Sequence, residues 1–386
     1  MIRLLFISDF TESFAYKLLK GIVNYSREKG NWEICRMPPA YKKTLGIPGV
    51  VDWAEKWGAN AVIGQFEESD NLELFHEAGM VVIAQDYKKK FRDIPNITAD
   101  YIGTGRMAAR HFIERGFKHY AFFGFRDVCW SDERLEGFKR EITEAGFGDS
   151  FRAYRMQEID SLWYYQRDKL FKWLEETPKP VAIMACDDNQ GSRLIEACRS
   201  LNIRIPAEVA VIGVDNDEMV CELNTPSLSS IKVDIEEGGW QVAELIETLV
   251  SDPDAPGKDI VLKPIKVVDR ISTASYATDD VEIGKAIKFI HQNLYRKLSV
   301  EDVLAEVALS RRLLERRFKA VTGESVYQYI SRLRIKLFAD MLLETNDQVI
   351  NIAISLGEND SKSIARRFKA TYGLGPNEWR EQNRKK

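Results

Sequence analysis

The octet Arg316-Arg317-Phe318-Lys319-Ala320-Val321-Thr322-Gly323 recurs 50 residues later as Arg366-Arg367-Phe368-Lys369-Ala370-Thr371-Tyr372-Gly373, with six of eight positions identical. Each copy follows a short helical stretch and a turn: Val303–Val307 before Ser310, and Val349–Leu356 before Gly357 and Asp360. That order is helix, turn, helix, with the second helix basic on its exposed face. Arginine can pair with two acceptors on a guanine edge, and arginine and lysine can both neutralise phosphates, so such a helix suits the major groove of double-stranded DNA. Two such helices reading successive grooves on one side of a duplex must stand about 34 Å apart. A connecting helix of about 20 residues, at 1.5 Å each, spans roughly 30 Å. The sequence predicts that helix over Val326–Glu344, with Val326, Ile330, Leu333, Leu337 and Met341 along one face. A merely solvated charged face is the bland alternative, and duplication at this spacing disfavours it.

A second set of reactive groups lies earlier. Pro180-Val181-Ala182-Ile183-Met184-Ala185-Cys186-Asp187-Asp188 and Val209-Ala210-Val211-Ile212-Gly213-Val214-Asp215-Asn216 are apolar runs that end in acids. Ligands of open α/β sheets sit beyond the carboxyl ends of strands, so these acids are expected in a cleft. Carboxylates and arginine pair with neighbouring hydroxyls, and an aromatic face covers the apolar side of a sugar ring. Asp188, just before Asn189, is equally well explained as a helix cap. Nothing points to catalysis: His76, His111, His119 and His291 lack ligand spacing, and no nucleophile elbow or Walker loop is present. Gly103-Thr104-Gly105 lacks the third glycine of a dinucleotide fingerprint. No catalytic residue, metal or cofactor is therefore expected. A sugar-binding enzyme or a solute-binding receptor without a DNA role remains the alternative.

Elements must hold these groups. Strands are predicted at Ile2–Ser8, Trp32–Arg36, Ala61–Gly64, Val81–Ala84, His119–Phe123, Val181–Ala185 and Val209–Gly213. Helices are predicted between them, at Ser13–Glu28, Tyr101–Arg115, Asp132–Ala145, Ser161–Glu175 and Asn189–Leu201. This alternation fits one large doubly wound sheet or two smaller lobes. Past Ile271 a polar, small-residue stretch over 272–280 has the composition of a linker, and only helical periodicity follows it, in Val281–Leu298, Ser299–Val307 and Val326–Glu344. Ser299 with Asp302 forms a capping-box pattern. The 386 residues thus divide into a sensor over 1–271, a linker over 272–280 and a helical domain over 281–386. The net charge of −4 conceals an asymmetry: residues 279–386 carry 20 Lys+Arg against 15 Asp+Glu, a net of +5, which leaves −9 in front. Five cysteines without a C-x-x-C pair are expected to pack rather than to crosslink or bind zinc. No apolar stretch approaches the roughly 18 to 20 residues of a membrane span. The N-terminal strand meets Ser8 and Asp9 too early for a signal peptide, so a cytoplasmic protein is expected.

The block from Ile283 to Arg380 resembles the AraC-type DNA-binding domain. Ile352, Ala353, Gly357, Arg366, Phe368, Lys369, Gly373, Pro376 and Arg380 match its second half. Glu358 and Ile364 stand where that family has phenylalanines, and Trp379 where it has tyrosine. Glu358 is expected either to turn outward or to loosen the second unit. By position the resemblance implies base reading by Arg312, Glu315 and Arg316 and by Ser361, Lys362 and Arg366. Arg311, Lys319 and Lys369 join them on the DNA face, while Phe318 and Phe368 are expected in the core.

The front part resembles the LacI/GalR branch of the periplasmic-binding-protein fold. The matches are Ile97-Thr98-Ala99-Asp100-Tyr101-Ile102-Gly103, Asp132-Glu133-Arg134-Leu135-Glu136-Gly137-Phe138 and Pro226-Ser227-Leu228-Ser229-Ser230-Ile231. This resemblance implies two lobes with a cleft between them. It also implies sugar contacts by Arg134, Asp187 and Asp215, with Asp9 and Phe10 after the first strand and Trp130 as a stacking ring. The fold expected is a two-lobed α/β periplasmic-binding-protein-like sensor (type I) followed by an all-α AraC-type tandem helix-turn-helix domain. That layout is similar to a xylose-responsive type of transcription activator. It implies as partners an operator in double-stranded DNA, a small sugar effector such as xylose or a related pentose, a second copy in a homodimer, and RNA polymerase.

Overall fold

Runs such as Val181–Ala185 and Val209–Val214 are buried at every position, as strands covered on both faces must be. The computed structural model describes residues 1–10, 13–157, 167–274, 278, 280–358 and 361–383. It divides into two compact units, Met1–Ser272 and Thr273–Lys386.

The first unit holds two six-stranded sheets. One contains β1 (Ile2–Ile7), β2 (Trp32–Met37), β3 (Ala61–Gln65), β4 (Val81–Gln85), β5 (Asn96–Ala99) and β11 (Ile260–Leu262), in the order β11-β5-β4-β3-β1-β2. The other contains β6 (His119–Phe125), β7 (Phe151–Met156), β8 (Val181–Ala185), β9 (Val209–Val214), β10 (Ser229–Val233) and β12 (Pro264–Val268), in the order β12-β10-β9-β8-β6-β7. The two orders repeat one plan, and every pairing is parallel except that of β12 with β10. Helices α1 (Ser13–Lys29), α2 (Pro39–Trp57), α3 (Glu73–Glu77) and α9 (Ile235–Ser251) accompany the first sheet. The second carries α4 (Tyr101–Ile113), α5 (Cys129–Glu144), α6 (Arg167–Glu176), α7 (Asp188–Ser200) and α8 (Glu218–Leu223). The helix predicted over Ser161–Glu175 lies outside the described residues up to 166.

The chain passes between the lobes three times, before α4, before α9, and between β11 and β12. The crossings hold one another: Asp100 N–H donates to the Leu262 carbonyl at 2.8 Å and Asp234 N–H to that of Lys263 at 3.1 Å. In the second lobe α4 and α5 touch backbone to backbone. A Cβ on Gly105 would stand 2.2 Å from the Arg134 carbonyl and one on Gly137 2.1 Å from that of Ile102, so only glycine permits the crossing that seats Arg134. Ser272, placed in the linker by composition, is fully buried instead. Its hydroxyl donates to the Val211 carbonyl at 2.6 Å and accepts from Ser229 N–H at 2.8 Å.

The second unit is helical: α10 (Val281–Gln292), α11 (Val300–Ala305), α12 (Arg311–Thr322), α13 (Val326–Glu344), α14 (Val349–Ser355), α15 (Ser361–Tyr372) and α16 (Pro376–Asn383). Ser299 and Asp302 cap α11 reciprocally, as their spacing predicts. Helix α13 has the predicted bounds but not the single predicted face. Val326, Ile330 and Leu333 enter one core with Ile287, Leu314 and Phe318, whereas Ile335, Phe338 and Leu342 enter another with Ile352, Ile364 and Phe368. At about 3.6 residues per turn these two sets lie on opposite sides of the helix. Leu337 and Met341 only flank the second core. A helix buried on opposite sides at its two ends serves each helix-turn-helix unit in turn, which a single stripe could not do. Among the described residues no helix is long and apolar enough to cross a membrane.

Candidate ligand cleft and nucleic-acid interface

The carboxyl ends of both sheets face a cleft of about 700 Å³ in the first unit. From one lobe Asp9, Gln65, Gln85 and Asp86 line it, and from the other Tyr101, Trp130, Arg134, Asp187, Asp188 and Asp215. The structure therefore brings together five of the six expected ligand residues. Phe10 is not among the lining residues. Its ring packs edge-on against Phe6, with centroids 5.1 Å apart, and the Arg36 guanidinium lies 5.4 Å from its centre. Phe10 thus packs away from the cleft wall, which Trp130 lines.

Arg134 is the hub. It is 4% exposed, donates from Nη1 to the Cys186 carbonyl at 2.6 Å, and meets Asp215 Oδ1 from Nη2 at 3.3 Å. Its guanidinium lies 5.1 Å from the centre of the Tyr101 ring and 5.3 Å from that of Trp130. Burial opposes its charge, but Asp215 favours it and the balance holds the group above the ordinary arginine value. Nε has no partner among the described residues.

Opposite it is Asp86, which follows β4 and is 3% exposed. Oδ1 accepts from the Tyr101 hydroxyl at 2.8 Å, and Oδ2 has no partner among the described residues. Sequence reasoning missed Asp86, although Val81-Val82-Ile83-Ala84-Gln85-Asp86 is another apolar run ending in an acid. The rule applied to β8 and β9 would have found it. Burial pushes the Asp86 carboxyl up from 3.8 to about 6 against the pull of Thr98, Tyr101, Lys90 and Arg134. A carboxyl raised on folding contributes stability that is complete below its unfolded value and is lost as pH rises through about 6. The thermal midpoint of Asp86→Asn should therefore change less than that of the unsubstituted chain between about pH 4 and 6. Parallel midpoint curves would refute the assignment.

Of the two acids after β8 it is Asp187, not Asp188, that caps the helix. Asp187 caps α7, its Oδ1 accepting from Gln190 N–H at 2.7 Å. Asp188 lies within the first turn at 3% exposure, taking the Ser230 hydroxyl at 2.5 Å and Asp217 N–H at 2.7 Å. Burial pushes both carboxyls up, Asp188 far more. Asp188 thus ties α7 to the strand ends around Asp215, and Asp187 keeps its place on the cleft wall. Asp215 and Asn216 have φ of 92° and 47°, a left-handed pair without glycine. Each non-glycine residue held there costs roughly 1 kcal/mol or more.

In the second unit the repeat is reproduced in burial as well as in sequence. Leu314 and Phe318 of α12 and Ile364 and Phe368 of α15 are fully buried. Arg312, Arg316 and Lys319 are exposed on α12, and Lys362, Arg366 and Lys369 on α15, where Ser361 is the first, half-buried residue. Arg311 is exposed beside Glu301, 2.6 Å away. The second arginine of each octet turns inward to a carboxylate. Arg317 Nε donates to Asp280 at 2.6 Å, and Arg367 Nη2 to Glu358 at 2.6 Å. Glu315 departs from the base-reading role: its Oε2 accepts Val326 N–H at 3.3 Å, which commits it to the start of α13.

Glu358 neither turns outward nor loosens the second unit. One carboxylate oxygen receives both Arg367 and, at 3.4 Å, Arg334 of α13, whose other nitrogen donates to the Arg296 carbonyl. Gly357, at φ 72°, brings this turn so close that a Cβ would lie 2.2 Å from Lys297 N. The carboxylate thus ties the second helix-turn-helix unit to α13 and, through Arg334, to the segment ahead of α11.

Comparisons with known proteins follow the same division. A periplasmic binding protein-like domain family matches residues 109–273 and a helix-turn-helix domain family residues 303–382. The xylose operon regulatory protein of Escherichia coli (strain K12) is 24% identical over 343 residues, 86% of each chain. That of Haemophilus influenzae is 27% identical over 336 residues, 85% of this chain and 87% of its own. A solved structure of the xylose-binding transcription activator xylR covers 99% of this chain and 98% of its own, with a TM-score of 0.62 at 22% identity. The chain is accordingly a homologue of the xylose operon regulatory proteins, a DNA-binding transcription regulator with a periplasmic-binding-protein-like sensor ahead of an AraC-type helix-turn-helix domain.

Proposed function

We propose that the chain senses a neutral sugar, xylose or a related pentose, and regulates a sugar catabolic operon from the cytoplasm. One observation carries this reading: a buried donor, Arg134 Nε, and a buried acceptor, Asp86 Oδ2, both without a partner among the described residues, belong to residues lining one cleft. An unmade hydrogen bond at a buried group costs about 1–3 kcal/mol, and a ligand carrying both donor and acceptor hydroxyls relieves both costs. Trp130 and Tyr101 offer ring faces, and Asp9, Asp187 and Asp215 further acceptors. The names of the relatives supply xylose as the first sugar to test.

Sugar bound between the lobes favours their closed form by the difference between its affinities for closed and open. Two copies then place four reading helices on an operator, and as an activator the dimer engages RNA polymerase. In this reading Arg312, Arg316, Ser361, Lys362 and Arg366 meet base edges and Arg311, Lys319 and Lys369 the phosphates, while Glu315 helps to orient α12. Replacing Arg316 with Ala should cost about 1–3 kcal/mol on the selected site and relax specificity at one base. Equal weakening on every duplex, measured by titration at fixed salt, would make Arg316 a phosphate contact.

The sensing reading is tested by a thermal-shift panel of pentoses and hexoses. A ligand that binds only the folded chain at 100 times its Kd adds about 2.7 kcal/mol and raises the midpoint with log concentration. Xylose or a related pentose should do so, and a flat panel would sink the reading.

A further inference from the structure

The Asp215–Asn216 turn is held from both sides by residues that line no part of the cleft. Lys17, on α1 of the opposite lobe, donates its ammonium to the Asp215 carbonyl at 2.8 Å and to that of Asn216 at 2.7 Å. The left-handed backbone of both residues, φ 92° and 47°, presents those two carbonyls to a single cation. On the other side Arg270 donates from Nη1 to Asn216 Oδ1 at 3.0 Å and to the Leu228 carbonyl at 3.0 Å, with Nε on Glu222 at 2.6 Å. The backbone N–H of Arg270 donates to Ser229 Oγ at 2.7 Å, and Ser272 is locked to Ser229 and Val211 two residues on.

We propose that this turn is the relay of the sensor: Lys17 registers lobe closure on it, and Arg270 passes its position to the segment that leaves the sensor at Ser272. The proposal rests on the sugar reading above. Lys17 and the turn belong to different lobes, so hinge opening separates the ammonium from both carbonyls at once. The turn then loses the contacts that offset its backbone strain, and the Asp215 carboxylate loses its fixed approach to Arg134. Sugar that holds the lobes together holds the turn, and with it the Asn216 amide that Arg270 grips. Lys17 and Arg270 are thus positioning residues that act through Asp215 and Asn216.

The test uses the full chain, the sugar that moves the wild-type midpoint most, and duplexes the wild type selects from a random pool. Sugar affinity is measured by calorimetry, and coupling as the ratio of DNA affinities with and without sugar. Lys17→Gln should weaken sugar binding about tenfold, as befits a lost charge-assisted contact, and Lys17→Arg should recover most of it. Arg270→Gln should keep sugar affinity within about twofold while losing most of the coupling ratio, an effect a purely structural role would not confine to coupling. If Arg270→Gln does not fold, Asn216→Gly removes the amide that Arg270 holds at a φ that glycine adopts without strain, and makes the same test. Either lysine or arginine replacement keeping the wild-type coupling ratio overturns the relay. A wild type whose midpoint no sugar moves defeats the sugar reading, and the relay with it.

Discussion

Arg134→Ala is expected to weaken sugar binding by about 2–5 kcal/mol, roughly 30-fold to a few thousand-fold, while DNA binding without sugar persists. The substitution removes more than a contact. Asp215 loses the cation that faces it at 3.3 Å, the Cys186 carbonyl loses a donor at 2.6 Å, and the Tyr101 and Trp130 rings lose the plane lying over them. Arg134→Lys should not rescue binding, because one ammonium cannot meet Cys186 and Asp215 together and still offer a donor to the cleft. Loss of a buried ion pair also lowers stability, so the midpoint without sugar is measured alongside. Asp215→Asn, which keeps shape and removes charge, should lose affinity with a smaller drop in midpoint. Calorimetry with xylose decides: affinity within a few-fold of wild type in Arg134→Ala would remove Arg134 from the site.

Asp215 was legible because strands of a parallel sheet are buried on both faces and read as unbroken apolar runs, whereas Arg134, inside α5, was reached only through the family resemblance. β8 and β9 announce themselves in this way, and the acids at their ends follow. β5 is buried throughout, yet Asn96-Ile97-Thr98-Ala99 is short and half polar, and Asn96 meets its partner Asp259, 163 residues away, only in the folded chain. β7 is an edge strand with exposed Arg152 and Ala153, and β12 begins with Pro264 at the opposite edge, so neither shows an apolar run. α2 was hidden by Pro39, Gly46 and Pro48, which signal turns locally. The helix survives by starting on the first proline and kinking at Gly46, where φ is 65°. At both candidate sites, what escaped was direction. A sequence places Phe10 and Glu315 beside the chemistry but cannot say that one turns to Phe6 and the other to Val326. Asp187 and Asp188 differ only in which begins the helix, and that is set by the backbone.

Glu358→Ala should destabilise the DNA-binding unit by about 3–5 kcal/mol, the largest stability change expected from one substitution in that unit. Arg334 is 6% exposed and burial already lowers its pKa, so without Glu358 its charge keeps, among the described residues, the Arg296 carbonyl alone. Glu358→Phe places the resembling family's residue at the turn and still leaves Arg334 uncompensated, so it should fare little better. Joining Glu358→Phe to Arg334→Met replaces a buried pair with packed apolar groups, an exchange that is often neutral or stabilising. The double variant should recover most of the loss, giving a coupling energy of about 1–3 kcal/mol between the two positions. Calorimetric unfolding of the full chain reads this in the transition of the DNA-binding unit, with the sugar-stabilised transition of the sensor as internal reference. Recovery of stability without recovery of DNA affinity would mean that the bridge from Glu358 to Arg334 and Arg367 also fixes the angle between the two reading helices. An unchanged transition in Glu358→Ala would show that the carboxylate is hydrated rather than shared, and the tie between the second unit and α13 would fall with it.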